Sequence, residues 1–239
     1  VAVDPTKGWE HLWQNPEVIQ RGWSQPSPVV VDLAERIWSA GARRALDLGC
    51  GPGRHTVALA KIGFETSATD VSPTALAHCR DWLAAQGLSA TLREADMREL
   101  PFSAGAFDLV VSYNVIYHAT RAGVAATLAE IDRVLAPGGT LFVTFIGTND
   151  VKLADYRARA LAGQGLELEP NTYRIPNDPD EDGDLPHHFV DEAEARELLA
   201  AFAVASLVPL REERRDANGN PYLKEHWHAI ATKVLSTEY

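Results

Sequence analysis

Asp47, Asp70 and Asp96 each stand where a short run of apolar or β-branched residues gives way to a turn. A carboxylate held at such a place can accept hydrogen bonds from the hydroxyls or amines of a bound molecule. Asp47 is followed by Gly49, Gly51 and Gly53, and glycines at alternate positions let a backbone turn sharply and approach a ligand where a Cβ would clash. Asp70 lies about 20 positions beyond that turn, the offset that brings a carboxylate to ribose hydroxyls in nucleotide-binding folds. Its alternative role is to cap a turn, but Ser72-Pro73 already supplies the serine cap and first-turn proline of the helix that follows. His118 lies just beyond Phe107–Ser112, the most strand-like run of the chain, and is suited by type to take a proton near neutral pH. The plainer reading of His118 is a ring packed at the start of a helix.

The elements needed to position these groups can be read from periodicity. Ala45 to Leu48 is a strand leading into the glycine turn, and Arg54 to Ile62 is a helix stopped by Gly63. Phe64 to Asp70 is a second strand, Ser72 to Gln86 a helix ended by Gly87, and Ala90 to Glu94 a third strand leading to Asp96. Phe107 to Ser112 is the fourth strand, apolar and β-branched as a buried parallel strand is, and Gly123 to Leu135 a helix. Leu135-Ala136-Pro137-Gly138-Gly139 reads as a turn before the fifth strand, Thr140 to Ile146. The pattern breaks down from Gly147 to Leu185, where Val151 to Leu161 is a helix candidate. Glu167 to Asp184 is polar, acidic and proline-broken, as a solvated loop is. Asp191 to Ala201 returns to helix. Ala203 to Arg211 and Glu225 to Val234 then read as two strands around Asn218-Gly219.

The N-terminal stretch is different in kind. Trp9, Trp13 and Trp23 are three of the six tryptophans and fall in a loop-like segment, residues 1–28. Large aromatics are commonly core, so these either pack a leading helix onto the sheet or form a lid over a ligand. Pro28 to Ala40 follows as a helix, with Val30, Leu33, Ala34, Ile37 and Trp38 at helical spacing.

Taken together, the acidic residue before Gly-x-Gly-x-Gly, the carboxylates at successive strand ends and the Leu-x-Pro-Gly-Gly turn resemble the class I S-adenosylmethionine-dependent methyltransferases. The pattern Trp9-x-x-x-Trp13, Gly22-Trp23 and Pro26-x-Pro28 is similar to the N-terminal cover of the thiopurine, tellurite and halide/thiol methyltransferase branch. The resemblance implies an α/β, Rossmann-like fold. In it, helices lie on both faces of a seven-stranded, mostly parallel sheet ordered 3-2-1-4-5-7-6 with an antiparallel last strand. It implies S-adenosylmethionine as cofactor. Asp47, Gly49, Gly51 and Gly53 would hold its methionine portion, Asp70 its ribose and Val71, Asp96 and Met97 its adenine, with Asn114 at the methionine end. Trp13, Trp23, Tyr117, Tyr173, His187 and His188 become candidates for the acceptor pocket. The last three come from the insertion after the fifth strand, where this family often builds that pocket.

On this reading the chain is one domain, residues 1–239. It divides into an aromatic cover and helix (1–40), a cofactor-binding core (41–146), an insertion (147–190) and a closing helix and hairpin (191–239). Methyl transfer from a sulfonium needs alignment and exclusion of water more than a strong catalytic group. A thiol or other soft nucleophile is the expected acceptor, favoured by the tryptophan pattern. A hydroxyl or amine acceptor, favoured by His118, would need that residue as base.

A formal net charge of −11 and a pI near 5.1 argue against a nucleic-acid partner, because nucleic acid is held largely by Lys and Arg on phosphates. Ser112-Tyr113-Asn114-Val115 also lacks the Pro-Pro-aromatic motif that base methylation commonly uses. A small-molecule acceptor is expected, and a monomer or homodimer. No apolar run reaches the ~20 residues of a membrane-spanning helix and no secretory signal is evident, so a cytoplasmic location is expected. The first residue is Val1 rather than Met, which reads as a processed or trimmed start and leaves room for a leader. Cys50 and Cys79 have no metal-type spacing and read as buried thiols. His187-His188 and the alternating His226 and His228 invite a zinc hypothesis, but they lack a supporting carboxylate or cysteine pattern, and no metal is expected. Two other classes stay open. An NAD-linked oxidoreductase shares the glycine turn and ribose carboxylate but is disfavoured by the glycine spacing and closing hairpin. A non-catalytic sensor would keep the same cofactor residues.

Overall fold

The computed structural model describes residues 5–176, 178, 184–215 and 218–235. Its centre follows from strand alternation, which sends successive side chains to opposite faces of a sheet. Strands β1 (Arg44–Leu48), β4 (Phe107–Ser112) and β5 (Leu135–Gly147) are apolar on both faces. Leu46, Val110, Leu141 and Val143 join one core cluster, while Ala45, Leu109, Val111 and Phe142 join another. Both faces therefore need a helical layer. Helix α3 (Pro28–Ser39) covers one side with Val30, Leu33 and Ala34. Helix α6 (Arg121–Val134) covers the other with Val124, Leu128 and Ile131.

Strand β2 (Glu65–Asp70) pairs in parallel with β1, and β3 (Thr91–Glu94) with β2. Helices α4 (Arg54–Ile62) and α5 (Pro73–Ala85) are the crossovers from β1 to β2 and from β2 to β3. On the other side, β10 (Pro221–Lys233) runs antiparallel to β5 and pairs with β9 (Phe202–Arg215). The main order is β3-β2-β1-β4-β5-β10-β9, which is the expected seven-stranded order with a closing hairpin.

Three expectations change. The N-terminal stretch is helical rather than loop-like: α1 (Pro5–Trp13) and α2 (Pro16–Gly22) are separated by Asn15, whose side chain accepts from Glu17 N at 3.0 Å. Trp9 and Trp13 are four residues apart and so share one face of α1. The insertion, after helix α7 (Val151–Leu161), is more than a loop. It holds β6 (Leu166–Glu169), β7 (Thr172–Arg174) and β8 (Pro186–Val190), with β8 adding to β5 through Ile146↔Phe189 and Gly147↔Val190. Strands this short give too few residues for a period to show. Of the acidic run Asp178 to Asp184, residues 179–183 lie outside the described residues. Finally, Pro137-Gly138-Gly139 is a bulged start to β5 rather than a turn before it. The register to β4 shifts there, from Phe107↔Leu135 to Leu109↔Thr140, and Gly138 has φ 76°. Helix α8 (Glu192–Leu198) lies between β8 and β9.

Among the described residues no helix is long and apolar enough to cross a membrane.

Candidate functional site

Strands β1, β2, β3 and β4 all end on one edge of the sheet, and a cavity of about 380 Å³ opens there. That falls within the usual range for small-molecule sites, and the carboxyl edge is where open parallel sheets bind ligands. Gly49 and Gly51 line it from the turn after β1, Asp70 and Val71 from the end of β2, Asp96 and Met97 from beyond β3. Asn114 lines it from beyond β4, in the left-handed region at φ 59°, with its N–H donating to Thr144 Oγ1 at 2.7 Å.

The glycine turn is tightly enclosed. A Cβ on Gly49, which has φ 68°, would lie 2.5 Å from two Val115 methyl carbons, and one on Gly51 would lie 3.2 Å from the Trp13 ring. Gly53 begins α4 with φ 101° and faces inward, where a Cβ would meet Cys79 Sγ at 2.5 Å; it is not on the cavity wall. Asp70 ties the turn to the next helix, accepting from Gly51 N at 2.8 Å and Ser72 N at 2.9 Å. Burial pushes its carboxyl up to about 6, against the lowering effect of those hydrogen bonds. The expected cap of α5 is present, with Ser72 Oγ accepting from Ala75 N at 3.0 Å. Asp47 is buried behind the turn rather than on the cavity wall, accepts from Thr56 Oγ1 at 2.6 Å, and is also pushed up to about 6 by burial. Asp96 is gripped by Arg98, Nε to Oδ1 at 2.9 Å and Nη2 to Oδ2 at 2.5 Å, and those bonds hold its carboxyl below the usual range.

Aromatic rings close over the cavity. Trp9, Trp13 and Trp23 all line it, so the cover lies over the ligand space as well as packing on α5. Trp9 meets the His118 ring edge-on at a centroid distance of 4.8 Å, and His118 is 9% exposed on the wall. His187 stands behind His118 with ring centroids 4.5 Å apart, packed against Tyr156 and Phe189. Tyr117, Tyr173, His187 and His188 form the shell behind the wall rather than the wall itself. Tyr117 OH contacts His226 Nε2 at 3.3 Å, and Tyr173 OH donates to Glu167 Oε1 at 2.9 Å. His188 bridges Thr172 and Glu194, at 2.7 Å from Nδ1 and 3.2 Å from Nε2. Burial lowers its tendency to protonate, against the pull of Glu194. His226 is pushed down to about 4, by burial first and by neighbouring His228 second. Among the described residues, no three His, Cys, Asp or Glu side chains come together as metal ligands.

Sequence reasoning missed Arg54, Arg98 and Arg174. The Arg54 guanidinium lies over Trp23 at 4.5 Å and Tyr113 at 5.0 Å and donates to Gly22 O at 3.1 Å, fastening the cover to the sheet edge. Arg174 of β7 lines the cavity beside Leu185 and Pro186. No local signal marks an arginine in a three-residue strand.

The cavity fits an adenosyl cofactor on its own features. Its glycine cradle leaves no room for a Cβ, and Thr69 Oγ1 and Trp13 Nε1 are buried polar atoms on its wall with no hydrogen-bond partner among the described residues.

Comparison with known proteins agrees with this geometry. Residues 45–139 match the family model described as "Methyltransferase domain". The chain is 31% identical over 137 residues to a ubiquinone biosynthesis O-methyltransferase from Methylococcus capsulatus, an alignment covering 55% of each chain. It thus spans about half the length of the curated relatives it matches. An S-adenosylmethionine-dependent methyltransferase from Methanosarcina mazei superposes with a TM-score of 0.68 at 22% identity, over 89% of this chain and 100% of that one. The N-methyltransferase NodS from Bradyrhizobium japonicum, solved with S-adenosyl-L-homocysteine, gives 0.63 at 18% identity, over 96% and 99%. These likenesses establish the fold as that of the class I methyltransferases.

Proposed function

We infer that this chain, a member of the class I S-adenosylmethionine-dependent methyltransferase family, methylates the oxygen or nitrogen of a small molecule with His118 as the base. The observation that carries this is one cavity holding both the glycine cradle with its strand-end carboxylates and, under Trp9, His118. Asp70 and Val71 would hold the ribose and adenine, Asp96 and Met97 the adenine edge, and the turn at Gly49 and Gly51 with Asn114 the methionine portion. Asp47, buried against Thr56, would act through the backbone of the turn. When bound, S-adenosylmethionine supplies an electrophilic methyl carbon on a sulfonium, which the acceptor's lone pair displaces as the carbon–sulfur bond breaks. His118 would take the acceptor proton, and the three tryptophans would keep water from the reacting atoms.

The acidic net charge of −11 supports a small-molecule acceptor over nucleic acid, and the continuous sheet supports reading the chain as one domain. The antiparallel β9–β10 hairpin weighs against a nicotinamide-dependent oxidoreductase.

Calorimetric titration with S-adenosylhomocysteine and with NADH tests the cofactor. S-adenosylhomocysteine is expected to bind, and Asp70→Ala to weaken it by about 1–3 kcal/mol through loss of a charged hydrogen bond. Binding of NADH alone would overturn the reading. The tryptophan cover favours a second reading, a thiol or other soft acceptor that needs no base. Turnover of His118→Ala separates the two: a hydroxyl or amine acceptor should slow by about 10²–10⁴-fold, whereas a thiolate should barely respond.

A further inference from the structure

One stretch of the cavity wall is built by the insertion, from Leu168 of β6, Arg174 of β7, Leu185 and Pro186, the first residue of β8. Alternation along β7 turns Tyr173 into the core cluster with Tyr117 and Phe189, and Arg174 toward the cavity, in register with Pro186. Arg98 and Arg174 are the two Lys or Arg side chains on the wall among the described residues, and Arg98 is taken up by Asp96. Arg174 is not taken up in this way. Its Nε is buried with no hydrogen-bond partner among the described residues, and its ion pair there, with the half-exposed Asp184, is a long one at 3.9 Å from Nε to Oδ1. A guanidinium stays charged at any working pH, and its buried Nε–H is costly to leave without an acceptor. Its planar fork matches a carboxylate.

We propose that Arg174 is the anion-recognition residue of the acceptor site, and that the acceptor is a flat, apolar molecule carrying a carboxylate. The inference rests on the methyl-transfer reading. The apolar body lies between Trp9 and the Leu168, Leu185 and Pro186 wall, the carboxylate meets Arg174, and the hydroxyl or amine to be methylated lies toward His118. Arg174 thus sets specificity, and the neutral ester of the same molecule is a poor ligand.

The test is titration of the full chain, saturated with S-adenosylhomocysteine, by hydroxy- and amino-substituted benzoates, phenylacetates and cinnamates, each beside its methyl ester. Acids are expected to bind at least about tenfold tighter than their own esters, the range of a charge-assisted hydrogen bond. Arg174→Gln should erase that ratio, Arg174→Lys should keep part of it, and both should bind S-adenosylhomocysteine as the unmodified chain does. The ratio in the unmodified chain needs no variant to fold. If S-adenosylhomocysteine binds but no acid does, or acids and esters bind alike, the proposal falls while the methyltransferase reading stands. If Arg174→Gln weakens S-adenosylhomocysteine and leaves the acid-to-ester ratio unchanged, the anion at Arg174 is the cofactor's own carboxylate, and the proposal again falls. Failure of S-adenosylhomocysteine to bind the unmodified chain would remove the methyltransferase reading and this inference with it.

Discussion

Asp47 and Asp70 sit at the ends of the neighbouring strands β1 and β2, and burial pushes both carboxyls up to about 6 from an ordinary value of 3.8. The folded chain therefore holds these protons more tightly than the unfolded chain does. Their contribution to stability is fully present below about pH 4 and is lost as pH rises through about 6. Asn at position 47 keeps an acceptor for Thr56 Oγ1 and does not ionise. Melting curves across this range should show Asp47→Asn gaining on the unmodified chain as pH rises from about 4 to about 6, then a constant gap. A gap independent of pH would mean that Asp47 titrates as an ordinary carboxyl. Such buried carboxyls are a recognised cost of ligand sites. The places of Asp70, Asp96 and His118 on the cavity wall were legible in sequence because each lies at the end of, or a few residues beyond, a strand that periodicity reveals. Arg174 was not, because alternation on so short a strand picks out neither Tyr173 nor Arg174 until the partner strand is known.

At the scale of elements, α1 is held chiefly by helix α5. Its polar anchors are the Trp13 carbonyl, which meets His78 Nε2 at 3.1 Å, and Glu10, which accepts from Ser72 Oγ at 2.6 Å and Thr74 N at 3.3 Å, and also from Thr74 Oγ1. Ser72 and Thr74 flank the start of α5, where the helix dipole also favours a carboxylate. Its apolar anchor is Leu12 and Trp13 against Ala75. Glu10→Ala removes the carboxylate anchor and leaves the Trp13–His78 contact and the apolar packing, so the cover should loosen by about 1 kcal/mol, a small figure because the site is half-exposed. Limited proteolysis within residues 5–22 should quicken, and S-adenosylhomocysteine should dissociate faster, while the melting of the main sheet barely changes. Unchanged proteolysis and dissociation would show that the aromatic packing and the Trp13–His78 contact hold α1 without Glu10. The helical form of this cover was hidden by its shortness and by Pro16, which reads as a breaker although it begins α2. Helix α4, by contrast, was bounded in sequence by the glycines that bound it in space, Gly53 and Gly63, both left-handed.

For the whole molecule, the site is a convergence of parts far apart in the chain. The glycine turn comes from residues near 50, His118 from beyond β4, the tryptophans from the first 23 residues and a further stretch of wall from residues 168 to 186. The sheet that brings them together runs unbroken from β3 to β9, with buried clusters on both faces. The insertion is held to it by the β5–β8 pairing, by Glu225 N donating to Asp150 Oδ2 at 2.8 Å and by Trp227 Nε1 donating to Val190 O at 3.2 Å, among other bonds. Another backbone bond, His188 N to Tyr117 O at 2.9 Å, carries β8 to the loop beside His118.

The family resemblance implied the strand order, and the amino-acid sequence by itself determined the α/β class, the glycine turn and the carboxylates at the strand ends. These are local signals: an apolar period, a cap or a breaker acts over a few residues, and parallel connections then leave few topologies to choose from. Only the tertiary structure decided that three tryptophans roof the cavity, that His187 and His188 stand behind its wall, and that Arg174 faces into it. Which face of a short strand or helix is inward depends on what packs against it, and at this site the packing partners lie tens of residues away.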